Sequence, residues 1–77
     1  MKRRFEPVDV EVTRGWPVVV KRHGHTHRVR SLLDAWVIQG RWWAAEERRV
    51  CFRVSTTGGI MELYRSGEEW ILARIED

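Results

Sequence analysis

The chain has one cysteine, no asparagine, a single glutamine (Gln39), two prolines and no long apolar run. A lone Cys51 excludes an internal disulfide. No apolar stretch reaches the roughly 18–20 residues of a membrane span, so no membrane partner is expected. The start, "MKRRFEP", is basic, but no apolar segment follows it as a signal peptide would require. A soluble, cytoplasmic protein is the expectation. Scarce amides beside 32% charged residues fit a thermophile. Lysine is also scarce, 2 against 12 arginines, which suits genome composition as well as selection for guanidinium chemistry.

What remains is a chain of 77 residues, room for one domain (1–77), with residues 1–5 as a candidate flexible basic arm. A domain this small buries only about 60% of the surface its unfolded chain exposes. Five tryptophans, each able to bury roughly 150–250 Å², therefore read first as core material. The net charge of +3 permits a phosphate partner without demanding one, because acids and bases interleave along the chain.

The apolar pattern has the period of strands. "VDVEV" (8–12) puts Val8, Val10 and Val12 on one face and Asp9 and Glu11 on the other. "TRG" (13–15) turns the chain into "WPVVVKR" (16–22), where Pro17 fits only at a strand start or on a sheet edge. "HG" (23–24) has the form of a two-residue hairpin turn before "HTHRVR" (25–30). The segment 31–39 is ambiguous between helix and strand. The β character of its neighbours favours a long bent strand, with a helical turn near Ser31–Asp34 and an end at Gly40. "AAEERR" (44–49) reads as a polar connection. Two hairpin arms follow, "RVCFRVS" and "IMELYR", then "WILARI". Val50, Phe52 and Val54 face one way, with Arg49, Cys51 and Arg53 opposite. The fold class is therefore all-β: a single-domain antiparallel meander of about six strands, closing into an SH3-like or similar small barrel.

Candidate chemistry is sparse. His25 and His27 share a strand face and are weak metal candidates, but zinc needs three or four converging ligands. A solvated hairpin accounts for them better. Cys51 sits mid-strand, where a thiol without a nearby cation is inert packing. Neither nucleophilic catalysis nor a cofactor is expected, and the chain does not read as an enzyme.

The arginine-bearing faces are more open. Arg28 and Arg30 share one face, as do Arg49 and Arg53. If those strands are neighbours, the four form a basic patch for a nucleic acid. The competing reading pairs them with Asp9, Glu11, Glu46 and Glu47. Of the adjacent Trp42 and Trp43, one must face the core and the other outward if the chain is extended. Trp16, Trp36, Trp70 and one of that pair are expected in the core. The remaining one, beside Arg41, is the candidate recognition aromatic.

The ordered set "PVVVKRHGHTHRVRSLLDAW", "GRWW", "FRVSTTGGIMELYR" and "EEWILARIED" resembles a family of small bacterial Trp-rich β domains. These occur alone or attached to, or encoded near, Y-family-like error-prone DNA polymerase proteins. The resemblance covers nearly the whole chain but departs from the pattern at "VIQG" (37–40), where more charge is expected. It brings no catalytic residues and implies an accessory role near DNA-damage tolerance. The expected function is a non-enzymatic, protein-binding module, its partner such a polymerase, with direct nucleic-acid binding as the alternative.

Overall fold

The structure is a computed structural model that describes the backbone of residues 2–42 and 45–76 and the side chains of 5–39 and 48–76. The described residues form seven strands: β1 (Lys2–Pro7), β2 (Asp9–Thr13), β3 (Trp16–Arg22), β4 (His25–Trp42), β5 (Ala45–Thr56), β6 (Gly59–Ser66) and β7 (Glu69–Glu76). All pair antiparallel in one sheet of order β1-β7-β6-β5-β4-β3-β2. Among them no helix is long and apolar enough to cross a membrane.

The order puts β1 and β2 at opposite edges, yet Val8 alone separates them in sequence. Laid flat, six inter-strand spacings would hold those edges roughly 28–29 Å apart. One residue cannot span that, so the sheet must curl until its edges meet. The result is a half-barrel, as expected for a small barrel fold. The Val8 N–H donates to the Trp70 carbonyl at 3.1 Å, which fastens the crossing point to β7. Across it, Arg22 Nε of β3 donates to Glu6 Oε1 of β1, and His23 Nε2 lies 3.5 Å from the other oxygen.

The long β4 makes the second corner. Its first residues pair with β3, from Arg22–His25 to Val19–Arg28, and the rest pairs with β5 from Val29 onward. Bulges between Val29 and Ser31 and between Leu32 and Asp34 bend it where it changes partner, as bulges do. The Arg28 N–H donates to Thr57 Oγ1, and the Thr57 N–H returns to the Arg28 carbonyl. The β5–β6 turn thus fixes the bend.

The concave face carries the core: Val20, Phe52, Val54, Met61, Leu63, Trp70 and Leu72, with Val8, Val10, Val29, Val50 and Ile75 packed against it. The convex face carries a charge ladder. Arg53 lies 3.3 Å from Glu76, and Arg74 bridges Glu62 and Glu76. Opposite charges side by side on neighbouring strands support the pairing modestly.

The outcome differs from the sequence reading in several places. A seventh strand appears because "KRRFEP" pairs with β7, so residues 2–5 are not a free basic arm. The segment 31–39 is strand, and its bulges replace the helical turn. β4 continues past Gly40, and "AEERR" is the start of β5, held by its ladder to β4. Val12 is exposed near the end of β2, where an extra residue in β3, Val18, interrupts the ladder between Glu11–Val19 and Val12–Pro17. The hairpin turns are as expected: Arg14–Gly15 and His23–Gly24 all have positive φ, the conformation a two-residue turn between twisted strands demands.

Glu6 yields a pH prediction. Its hydrogen bond from Arg22, aided by the charges of Arg22 and His23, holds its carboxyl below the usual range against the opposing effect of desolvation. A depressed folded value means that the contribution is present above the unfolded pKa. It is lost as pH falls through the folded one. Urea unfolding should therefore show stability falling below about pH 4.5, and Glu6→Gln should be less stable at pH 7 with a flatter acid slope.

Candidate interaction site at the split between β3 and β4

Past the Val19–Arg28 pair, β3 and β4 part company. β3 keeps β2 as its only ladder partner over Trp16–Val18, and β4 keeps only β5 from Val29 to Trp42. Between Asp34 and Trp42 the β4–β5 register is unbroken, so this part of β4 is a regular strand with one edge unpaired among the described residues. Large apolar side chains are exposed on β4: Leu32 and Leu33 at the bulge before this regular part, and Val37 and Ile38 within it, the most open being Val37 at 49%. Trp16, on the other lip of the split, is equally exposed at 49%. Single exposed apolar residues need no explanation, but several on one open edge do.

Two adjoining hollows lie on the concave side of the split and share Gly15, Val50 and Phe52 as walls. One, about 310 Å³, runs between the β2–β3 turn and Ala35–Val37; the other, about 390 Å³, reaches Arg48 and Arg65. Their floor is aromatic. Trp16 meets Phe52 edge-on at 6.0 Å, Phe52 lies against Trp70 at 5.4 Å, and Arg65 caps Trp70 at 5.6 Å. Arg14, Arg48 and Arg65 border the hollows, and no carboxylate among the described residues lines either one. Arg65 is steadied by donating to the Gly67 carbonyl. Arg14 and Arg48 are exposed.

The arginines singled out in the sequence are brought together only in part. β4 and β5 are neighbours, as the basic patch required, but Arg53 is taken up in the ladder with Glu76. Arg28 and Arg30 are exposed at the bend of β4, whereas Arg49 lies on the far side of Cys51, in a recess with Phe5 and Tyr64. Among the described side chains, Glu11 pairs with Lys21 rather than with one of these arginines, and Glu76 rather than an expected acid serves Arg53. The backbones of Arg41 and Trp42 continue the open edge of β4. Their side chains, Trp43, Glu46 and Glu47 lie outside the described side chains. Trp70 is core and Trp36 half-buried, but Trp16 is not core, because the strands that would enclose it diverge. Trp16 is thus an exposed aromatic at the rim of the hollow that sequence reasoning had placed in the core. Its place directly after a turn and before Pro17, at the rim of a strand, was the available signal.

Comparison with family models, with curated proteins and with solved structures gives no match to this chain. The site therefore stands on its own geometry.

His25 and His27 stack loosely at 6.4 Å, and the His27 ring lies where a Cβ on Gly58 would have to go, which makes it packing for the β5–β6 turn. Among the described residues no group of three or more His, Cys, Asp or Glu converges. Cys51 is fully buried, and desolvation raises its thiol pKa against the pull of Arg49. It should react with a disulfide reagent at pH 8 only through opening of the fold. The rate should rise in step with the unfolded fraction as urea is added; fast reaction in native buffer would contradict this packing.

Proposed function

We propose that this chain is a non-enzymatic interaction module that binds a protein partner at the split between β3 and β4. The observation that carries the reading is the open edge of β4. Along the edge left unpaired among the described residues, exposed Val37 lines an aromatic-floored hollow, a combination suited to receiving another chain. Its resemblance to Trp-rich domains associated with error-prone polymerases supports a Y-family-like polymerase as the first candidate partner, with translesion synthesis as the context and the cytoplasm as the place.

The rival reading is a single-stranded nucleic acid, which the exposed Trp16 next to Arg14 favours. Against it stand the interleaved charge of the convex face and the neutralisation of Arg53. Titrations of the isotopically labelled chain separate the two. Adding a Y-family-like polymerase should perturb the amides of 31–39 saturably, whereas single-stranded and primer–template DNA should leave them unchanged. DNA shifts that saturate at about 50 mM salt and fade at about 200 mM would transfer the site to nucleic acid.

A further inference from the structure

We infer that the occupant of the split is an extended peptide, added as a strand to β4, with apolar side chains at alternate positions and carboxylates flanking them. The inference rests on the protein-binding reading and names the chemistry of the partner.

The backbone sets the first requirement. From Asp34 to Gln39 β4 is regular and, among the described residues, paired on one side only, so every second residue directs its N–H and C=O towards the split. The Ala35 N–H donates to Asp34 Oδ1 at 2.9 Å, a local bond of the kind that substitutes for a missing strand partner. Beyond it, around Val37 and Gln39, an incoming strand can complete the ladder. An extended chain is the ligand conformation that offers the complementary groups at the matching spacing.

The side chains set the second. Residues at alternate positions of an added strand would lie over the concave face, where Val37, Val50, Phe52 and Trp16 form the surface. These positions call for apolar groups. At the margins of the same surface stand Arg14 on the β2–β3 turn, Arg48 on β5 and Arg65 on β6. With no carboxylate among the described lining residues, the borders favour negative charge at the ends of the apolar segment. A second copy of the chain would instead bring this arginine rim against a protein of net charge +3, so self-association is the less complementary choice.

The test uses two synthetic heptapeptides, capped at both ends: Glu-Glu-Val-Thr-Val-Glu-Glu and its counterpart with lysine for every glutamate. Each is titrated into the labelled full chain. The acidic peptide should shift the amides of 35–39 and the Trp16 indole saturably, and the basic one should not. Val37→Asp should weaken the acidic peptide at least tenfold. Arg14→Glu with Arg48→Glu should do the same, and both arginines are exposed enough for the fold to survive. Equal binding of both peptides would overturn the acidic chemistry while leaving the protein-binding reading intact. Absence of saturation with either peptide, or shifts confined to another face, would overturn the inference itself. An oligonucleotide that occupies the site where neither peptide does would overturn both.

Discussion

The two ends of the strand order are joined by a single residue. Val8 connects β1, at one margin of the sheet, to β2, at the other, and no flat arrangement of seven strands satisfies that connection. Curling follows from it, and the concave interior follows from curling. The interior is then filled by whichever side chains the period of two places there. That is why Val54, Met61, Leu63 and Leu72 become fully enclosed in a chain with little material to enclose them. The contacts at the crossing are modest in number but well placed: the Val8 amide to Trp70, and Glu6 to Arg22.

The same constraint explains why the barrel is incomplete. β4 must leave β3 to follow β5, and the Thr57–Arg28 bonds fix where it does so. Closing the margins at Val8 thus coexists with a gap between β3 and β4. The aromatic series Trp16–Phe52–Trp70 runs from that gap into the core, ending under Arg65. Binding at the gap would rest on the side chains that hold the domain together. On the convex face Arg53, Glu76, Arg74 and Glu62 pair with one another.

Much of this architecture could be read from residue order. "VCFRV" announced its inward and outward faces, and Phe52 and Val54 are buried accordingly, although Cys51 is enclosed as well. Turns at "RG" and "HG" were legible because glycine in that position reports a backbone requirement. "AEERR" was not, since its strand is held by a ladder to β4 and leaves no apolar alternation to detect. Nor was the exposure of Trp16. A tryptophan in so small a chain reads as core on burial grounds, and only the divergence of β3 and β4, a long-range feature, places it outside. The pairing of Arg53 was equally out of reach of the sequence. Whether Arg53 is available depends on Glu76, which reaches it only through the pairing of β5, β6 and β7.

The central claim is that β4 has an open edge opposite its ladder with β5. Amide hydrogen exchange of residues 34–39, followed residue by residue at low protein concentration, tests it most directly. Alternating behaviour is predicted: amides bonded to β5 protected like those of β6, and the intervening ones exchanging fast. Uniform protection of all of them would mean that the edge is already covered, and the split would not be a place for a partner to bind.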